Sequence, residues 1–293
     1  MSDIAQQKQS RFSFFRYPGG KAKLQEPIVQ LLREQTNWTQ YREPFFGGGA
    51  IGLNFMATNS TVTSAWLNDL DVGLASLWTA TKNYPQELKN LVGSFEPSVP
   101  AFTEFKAELK TTDTMPIDRD ETVRIGFEKL AVHQMSYSGL GTMSGGPLGG
   151  YLQRSNYKID DRWSPDALQL KIDAMHEQLS KIEVRITHHD FAELITDTSQ
   201  TALIYLDPPY YVNGNALYQN GFTKDDHLRL AELLKTTKHR WVLSYDDCPE
   251  VRALYYWAKI MTVSVNYSIA APRREQELLI CPPTTLKAGD DPS

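Results

Sequence analysis

Cysteine is scarce in this sequence, and long apolar runs are absent from it. Cys248 and Cys281 are the only cysteines among 293 residues, which excludes a framework of disulfide bonds. The six histidines and two cysteines show no metal-ligand spacing, so we expect no bound metal. No apolar run approaches the roughly 20 residues that span a bilayer, and residues 1–10 are too polar for a secretion signal. These absences favour a cytoplasmic protein that enters no membrane.

An excess of positive charge is also missing, since the formal net charge is −5. Proteins that bind nucleic acid usually carry a basic face, because neutralising phosphates releases counterions. The net charge is only a mild argument against DNA, since the field at the binding surface is what counts. Basic residues cluster in three places, each of which could also be a solvated surface: Arg11, Arg16, Lys21 and Lys23; Arg154, Lys158 and Arg162; Arg273 and Arg274.

The sequence does have the composition of an ordinary globular protein, with 41% hydrophobic and 22% charged residues. Its length allows one large domain or one domain with an insertion. From residue 183 onward, short apolar segments alternate with segments of helical spacing, which indicates βαβ units around a largely parallel sheet. Residues 136–163 are instead rich in glycine and lack periodicity, as long functional loops do.

These patterns predict an α/β fold in two parts. Residues 1–95 together with 186–293 are expected to form a sheet-bearing domain, and residues 96–185 an inserted domain of helices and loops. Periodicity predicts helices at 21–34, 50–56, 121–135, 165–182, 226–234 and 251–257, and others from about residue 72. Strands are predicted at 41–46, 61–67, 183–187, 202–206, 241–245, 261–267 and 277–281. An acidic and aromatic stretch at 97–105 receives no assignment.

A glycine turn follows the first predicted strand. Phe46, Gly47 and Gly49 lie between that strand and a helix, and glycines there permit a tight turn in which backbone amides approach a ligand. Asp69 stands about 20 residues past Gly49 at the end of the next strand, where an acid binds ribose hydroxyls in Rossmann-like sites. Asp71 is an alternative to Asp69, and a plain flexible connection is the alternative to the whole motif.

A second motif follows the apolar strand at 202–206, which ends in Asp207, Pro208, Pro209 and Tyr210. Ligands of open α/β sheets bind at the carboxyl ends of strands, so Asp207 is expected to face a site. The prolines fix the backbone and remove two donors, which leaves carbonyl oxygens as acceptors. A carboxylate beside a carbonyl can hold an amino group, and Tyr210 offers a flat face for a stacked base. An ordinary proline turn is the alternative.

The motifs occur in the order typical of one enzyme family. Over nearly its whole length the chain resembles the Dam-type (class alpha, DPPY) DNA adenine-N6 methyltransferases, whose target-recognition segment lies between cofactor motif and DPPY. The resemblance implies a Rossmann-like S-adenosylmethionine-dependent methyltransferase sheet, S-adenosylmethionine as cofactor and double-stranded DNA as substrate. The similar segments are residues 16–21 (RYPGGK), Phe45 to Gly49 (FFGGG), Asn68 and Asp69, residues 189–191 (HDF), 207–210 (DPPY), 218–231 and 274–280.

The resemblance also assigns cofactor contacts. Lys21 would meet the methionine carboxylate, Asp69 the ribose, and Asp190 the adenine amino group with Phe191 packed nearby. Simpler roles remain open: Lys21 as a surface charge, Asp190 as the cap of the following helix, and Phe191 as a core residue. The full set of implied cofactor-binding residues is Tyr17, Lys21, Phe46, Gly47, Gly49, Asp69, Asp190, Phe191 and Asp207.

At the DPPY motif, the resemblance implies a catalytic role for Asp207, Pro208, Pro209 and Tyr210. Asp207 and the Pro208 carbonyl would accept hydrogen bonds from the N6 amino group of an adenine flipped out of the duplex. Tyr210 would stack on that base. The methyl group would pass directly from the sulfonium to N6, with neither a metal nor a covalent intermediate.

The predicted insertion carries the candidate DNA contacts. Residues 133–139 are similar to the start of the family's target-recognition segment, and the glycine-rich run after them would face a DNA groove. Tyr137, Arg154, Lys158 and Arg162 are the candidate DNA-binding residues, and which of them read bases stays open. This stretch departs from the best-known members of the family, so their target sequence does not transfer. The oligomeric state and any cognate restriction nuclease also stay open.

Three other functions compete with adenine methylation. A protein or RNA methyltransferase of the related NPPY type shares the cofactor loop but not the leading Asp207 or the amino-terminal Gly-Gly-Lys. A cytosine-N4 methyltransferase shares the amino-group chemistry but usually has a Ser-Pro-Pro motif. A DNA-binding regulator on a disused methyltransferase scaffold would show decay at the cofactor loop or at the DPPY motif, and neither of these two is decayed.

Overall fold

The structure is a computed structural model that describes residues 13–15, 24–137, 139–212, 221–267 and 273–283. Its strands are β1 (Gln40–Glu43), β2 (Ser64–Asn68), β3 (Glu183–Thr187), β4 (Ala202–Leu206), β5 (Arg240–Asp246), β6 (Lys259–Tyr267) and β7 (Arg273–Cys281). They form a seven-stranded sheet in the order β3-β2-β1-β4-β5-β7-β6. Strands β1 to β5 pair in parallel, whereas β7 is antiparallel to both β5 and β6.

Helices cover both faces of the sheet. They are α1 (Gln25–Glu34), α2 (Ala50–Thr58), α3 (Val72–Asn83), α4 (Pro85–Ser94), α5 (Val99–Thr111), α6 (Arg119–Met135), α7 (Pro165–Ser180), α8 (Phe191–Thr196), α9 (Lys224–Thr236) and α10 (Pro249–Leu254). The longest described helix, α6, has 17 residues. Within the described ranges, no helix combines the length and the apolar character that a bilayer crossing requires.

The apolar core is divided by the sheet into two parts. Side chains alternate between the faces of a strand, so in β4 Leu203 and Tyr205 join one cluster while Ile204 and Leu206 join the other. Helices α1 to α7 contribute to the first cluster, and α8 to α10 contribute to the second. This three-layer arrangement around a mostly parallel sheet confirms the predicted α/β fold class.

The predicted insertion, residues 96–185, follows α4 and reaches into β3. Helices α4 to α7 pack beside α3, and their buried side chains belong to the same cluster as the sheet residues on that face. The two-domain division stays a prediction, and its boundary at residue 185 falls inside β3, which pairs with β2 from Glu183 onward. The described part of residues 136–163 forms the expected irregular stretch, with a short 3-10 helix at Gly141–Met143.

Local chemistry explains where the elements differ from the predicted ones. The unassigned stretch at 97–105 is part of α5, which begins after Ser98; the Ser98 side chain accepts from the Ala101 amide at 3.3 Å, as an N-cap does. The predicted strand at 41–46 ends at Glu43, because Pro44 has no N–H to continue the ladder. The predicted helix at 251–257 is α10, which runs from Pro249 to Leu254.

Candidate active site

Four neighbouring strands end at one edge of the sheet. Because β3, β2, β1 and β4 run parallel, their carboxyl ends lie together. At that edge the chain continues into Glu43, Asp69, Asp190 and Asp207, which end or follow β1, β2, β3 and β4 respectively. The direction in which successive strands are added reverses between β1 and β4, and open α/β sheets bind ligands outside such a reversal. The fold therefore brings Asp69, Asp190 and Asp207, all predicted site residues, to one edge.

The glycine turn between β1 and α2 rests on a tryptophan. Gly47 and Gly49 have φ angles of 49° and 71°, a region that residues with a side chain rarely adopt. A Cβ atom on Gly49 would lie 2.8 Å from the Trp78 ring, whereas one on Gly47 would meet no atom within 4 Å. Trp78 Nε1 donates to the Gly47 carbonyl at 2.9 Å, and the buried Phe46 packs on Trp78 with ring centroids 4.8 Å apart. The turn is thus supported at Gly49 and open at Gly47.

Asp69 is joined directly to this turn. Its Oδ2 accepts from the Gly47 amide at 2.8 Å, and its Oδ1 accepts from the Asp71 amide at 3.0 Å. Burial, followed by the charge of Asp71, raises the pKa of Asp69 to about 6. Asp71 has a different task, because it caps α3 by accepting from the Leu74 amide at 3.0 Å and forms an ion pair with Lys129. Between the two acids, the geometry favours Asp69 as the ligand-facing one.

Asn68, directly before Asp69, ties three strand ends together. Its Nδ2 donates to the carbonyls of Pro44 and His189, each at 3.0 Å. Its Oδ1 accepts from Thr187 Oγ1 and from the His189 amide, each at 2.7 Å. The side chain is buried, so these four bonds satisfy it fully and fix the ends of β1, β2 and β3 relative to one another.

Asp190 caps helix α8, as the simpler interpretation predicted. Its Oδ1 accepts from the Ala192 amide at 2.9 Å, and its Oδ2 accepts from Arg229 Nη2 at 2.6 Å. The Arg229 guanidinium lies 4.4 Å from the centroid of the Phe191 ring. Phe191 is buried and packs on Phe45 with centroids 5.7 Å apart, which confirms it as a core residue. The Asp190 side chain nevertheless remains 43% exposed, so it can also meet a ligand.

Asp207 is held by hydroxyl groups beneath it. Ser244 Oγ donates to Asp207 Oδ1 at 3.0 Å, and Tyr205 Oη lies 3.0 Å from the same Ser244 oxygen. Pro208 and Pro209 are buried, whereas Asp207 is half-buried at the edge of the sheet. The strand, the prolines and Ser244 together restrict the carboxylate to a small range of positions.

The residues after the prolines are anchored to β5 and β7. Tyr210 Oη donates a short hydrogen bond to the buried Glu277 in β7. The amides of Tyr211 and Val212 donate to the Asp246 carboxylate at 2.9 and 3.2 Å. The DPPY segment is therefore held on both sides and presents Tyr210 as a half-buried ring.

Glu43 is a buried acid between the two predicted functional acids. Its Oε2 accepts from Tyr41 Oη at 2.7 Å, and a Cβ on Gly52 would come within 2.1 Å of it. Burial raises the pKa of Glu43 well above its usual value, and the charges of Asp207 and Asp69 raise it further. Burial therefore favours the protonated, neutral form of this side chain. Although these acids are neighbours, no group of histidine, cysteine or acidic side chains among the described residues could hold a metal ion.

Several residues of the site received no role from the sequence. Asn68 and Glu43 flank motifs that the sequence did reveal, so their position next to Asp69 and Pro44 was an available signal. Ser244 and Glu277 reach the DPPY segment from far along the chain. They carry no local signal, because only strand pairing brings them near.

The predicted DNA-binding residues of the insertion divide into two kinds. Arg162 Nη1 donates to the carbonyls of Ser136 and Tyr137 at 3.1 and 3.2 Å, so it holds the loop together. Lys158 Nζ donates to a nearby backbone carbonyl at 2.6 Å but is exposed, and so is Arg154. The Tyr137 side chain is 69% exposed. Arg154, Lys158 and Tyr137 are therefore accessible to a partner.

Two predicted cofactor contacts, Tyr17 and Lys21, lie outside the described residues. Of the neighbouring segment, Phe14 is buried against Trp78 with ring centroids 5.5 Å apart. The Phe14 carbonyl accepts from Gln134 Nε2 of α6 at 2.7 Å. Residues 13–15 thus pack close to the tryptophan that supports the glycine turn.

Comparison with known proteins adds one strong match. Residues 17–269 match the family model described as D12 class N6 adenine-specific DNA methyltransferase. No curated protein matches the sequence significantly. Among solved structures, the rRNA methyltransferase aviRa from Streptomyces viridochromogenes is similar, with 10% identity, 90% of this chain and 86% of that chain covered, and a TM-score of 0.38. A structural likeness this weak supports neither a fold nor a function.

Proposed function

Because this chain belongs to the D12 class of N6 adenine-specific DNA methyltransferases, we propose that it transfers a methyl group from S-adenosylmethionine to N6 of an adenine flipped out of double-stranded DNA. The observation that carries the proposal is the placement of Asp207 at the same sheet edge as Asp69. Asp207 follows β4 and is expected to face the base, whereas Asp69 accepts a hydrogen bond from the glycine turn.

The glycine turn and Asp69 fit the nucleoside part of S-adenosylmethionine. The space at Gly47 is open, since a Cβ there would meet no atom within 4 Å. Asp69 lies beside this space and, when ionised, accepts hydrogen bonds from ribose hydroxyls. The Asp190 carboxylate already binds one amide and Arg229. Its remaining lone pairs would accept from the adenine amino group, since a carboxylate has about four acceptor sites.

The DPPY segment would activate the target amino group. The N6 lone pair of adenine is delocalised into the ring and is therefore a poor nucleophile. Hydrogen bonds from N6–H to Asp207 and to the Pro208 carbonyl would favour a tetrahedral nitrogen and direct its lone pair. Ser244 keeps the Asp207 carboxylate in position. Such orientation of reactants can supply about 7–11 kcal/mol.

The bound cofactor supplies an electrophilic methyl group on its sulfonium. The chain's own residues hold the amino group while the N–C bond forms and the C–S bond breaks, and the nitrogen releases its proton afterwards. No base with a tuned pKa is needed before attack. Tyr210, fixed through Glu277, would stack on the flipped base, and base–aromatic stacking contributes about 1–3 kcal/mol.

Exposed residues of the insertion would meet the DNA. Tyr137, Tyr151, Leu152 and Tyr157 are all more than half exposed, and Arg154 and Lys158 lie among them in the chain. Aromatic groups mixed with cations suit a nucleic-acid surface. Flipping a base costs a few kcal/mol, which contacts in the pocket and along this surface would offset.

The first experiment is to express the chain in a host that lacks other methylases and to read its DNA by single-molecule sequencing. We expect N6-methyladenine within one defined sequence motif. Asp207→Ala should remove the modification, because losing one preorganised group from a catalytic site costs on the order of 100- to 1,000-fold in kcat. Asp207→Asn keeps one acceptor oxygen and should retain more activity.

A matched control is Asp173→Ala on α7, whose side chain is 52% exposed and pairs with Lys89. It should leave both the modification and S-adenosylmethionine binding unchanged. Full methylation by purified, folded Asp207→Ala would contradict the proposed mechanism. If the wild type binds the cofactor yet leaves adenine unmodified, the substrate is RNA or protein, as the NPPY alternative predicts. If the wild type binds no cofactor, the result favours the alternative of a DNA-binding regulator on a disused methyltransferase scaffold.

A further inference from the structure

The insertion helix α6 carries a buried cation, Lys129, that pairs with an acid at the start of α3. Lys129 is only 3% exposed, and its Nζ forms an ion pair with Asp71 Oδ2. The stem of Lys129 passes α3 at Gly73, where a Cβ atom would come within 2.9 Å of Lys129 Cδ. A buried lysine is rare unless it is paired, and here the partner lies two residues from Asp69.

A continuous set of hydrogen bonds leads from this cation to the glycine turn. The Asp71 carboxylate binds Lys129 with one oxygen and the Leu74 amide with the other. The Asp71 amide then donates to Asp69 Oδ1 at 3.0 Å, and Asp69 Oδ2 accepts from the Gly47 amide at 2.8 Å. Any change at Lys129 therefore reaches Asp69 through one intervening residue.

We propose that Lys129 is a positioning residue for the cofactor, because through Asp71 it sets the orientation and the charge of the Asp69 carboxylate. The inference rests on the proposed role of Asp69 as the ribose-binding acid. It adds that an insertion helix, and not only the sheet edge, controls cofactor affinity. Because α3 covers Lys129, this lysine acts on cofactor binding indirectly, through Asp71 and Asp69.

The charges around Asp69 give the sign of the effect. Burial and then the charge of Asp71 raise the pKa of Asp69 to about 6. The hydrogen bonds from the Asp71 and Gly47 amides lower it, and so does the charge of Lys129, while Glu43 is a further acid nearby. His133, on the same helix, does not replace Lys129. Burial and then the Lys129 charge lower the pKa of His133 to about 3, so it is neutral where the enzyme works.

The test is calorimetric titration of the full-length chain with S-adenosylmethionine between pH 5.5 and 8.5. Wild-type affinity should fall as the pH drops through about 6, because ribose hydroxyls need an ionised Asp69. In Lys129→Met this fall should move to higher pH, which gives weaker binding than the wild type at pH 5.5 and convergence with the wild type at pH 8.5. Lys129→Arg should restore the wild-type profile.

A second variant predicts the opposite shift. Asp71→Asn removes the negative charge nearest Asp69 but keeps a good helix cap, so its affinity should persist to lower pH than in the wild type. It decides the matter should Lys129→Met fail to fold. Lys89→Met, which breaks an exposed ion pair between α4 and α7, changes the net charge equally and should leave the profile unmoved.

Two results would overturn the inference. One is an unchanged profile in Lys129→Met, or in Asp71→Asn should Lys129→Met not fold; the other is an equal loss of affinity at every pH in Lys129→Met, which is what a purely structural ion pair gives. Failure of the proposed cofactor site looks different. In that case wild-type protein does not bind S-adenosylmethionine, or Asp69→Asn binds it as well as wild type does.

Discussion

Glu43 ends β1 with a carboxyl group that lies between two other acids. Burial is the main cause of its raised pKa, with Asp207 and Asp69 adding to it. Favouring the neutral form of Glu43 limits its repulsion with the neighbouring Asp69 and Asp207. The native state holds this proton at pH values where the unfolded chain releases it, so stability must depend on pH.

The sign of that dependence is fixed by the direction of the shift. Native Glu43 binds more protons than unfolded Glu43 above the usual value of 4.5, so stability falls as the pH rises from there towards the raised pKa. Glu43→Gln has the same shape and no proton to lose. Relative to the wild type, we expect the free energy of unfolding of the variant to increase by up to about 1.4 kcal/mol for each pH unit between 4.5 and the raised pKa.

Urea unfolding at pH 5 and pH 7 measures this difference directly. The exposed Glu232 on α9 supplies the control, since Glu232→Gln should shift stability equally at both pH values. A Glu43→Gln difference that is the same at pH 5 and pH 7 would show that Glu43 is ionised in the native state. Its burial would then need a compensating cation.

The sequence predicted individual residues unevenly. It located Asp69 and Asp207 because each follows a recognisable strand, and Asp190 through the family resemblance of residues 189–191. It could not assign Ser244 or Glu277, whose contacts with the DPPY segment join residues 37 and 67 positions apart. Such contacts depend on the pairing of β4, β5 and β7, which local patterns do not encode.

Helices α3 and α6 pack so closely at Gly126 that their backbones nearly touch. A Cβ on Gly126 of α6 would lie 2.7 Å from Leu77 Cα and 2.8 Å from Leu77 N. Those atoms belong to the backbone of α3, so they cannot rotate away as a flexible side chain can. The contact fixes α3, which carries Trp78 beneath the glycine turn and Asp71 at its start.

Gly126→Ala should therefore destabilise the protein, although alanine favours helix by about 1 kcal/mol over glycine. Overpacking of this kind costs about 1–3 kcal/mol, and the shift of α3 should also weaken cofactor binding. Thermal unfolding and calorimetric titration measure the two effects. Gly93→Ala in α4 is the control, because its Cβ would meet only the end of the Gln169 side chain; it should be neutral or stabilising. A stable Gly126→Ala would mean that the helices separate at little cost.

The sequence predicted the presence and type of the helices and strands better than the residues at which they begin and end. Strands β3 and β4 were predicted with the bounds they have, because each is a short apolar or alternating run closed by polar residues or proline. Helix α5 was missed, since its start depends on the Ser98 cap more than on periodicity. The packing of α4 to α7 into the same core as the sheet is a tertiary property that no local spacing predicts.

At the scale of the whole molecule, charge limits how the protein can bind DNA. A net charge of −5 gives no general attraction to a polyanion, and salt screens charges beyond about 10 Å at 0.1 M. Attraction must then come from local clusters. Arg154 and Lys158 are exposed in the insertion, whereas Arg162 is engaged with backbone carbonyls.

We therefore expect Arg154→Gln with Lys158→Gln to weaken binding to duplex DNA and to reduce its salt dependence. Each lost phosphate contact should reduce the slope of log affinity against log salt by about 0.9, hence by up to about 1.8 for both. Cofactor affinity should not change. Fluorescence anisotropy with a labelled duplex at several salt concentrations measures the slope.

The control pair is Lys235→Gln with Lys238→Gln, which alters the net charge equally at the end of α9, on the other face of the sheet. If both pairs reduce the slope alike, binding responds to total charge and not to the insertion. If neither does, the phosphates are contacted by other cations, and the basic cluster at residues 11–23 becomes the next to replace. A loss confined to the insertion pair would instead locate the DNA on the side of the sheet where α4 to α7 lie, which is also the side from which Lys129 pairs with Asp71.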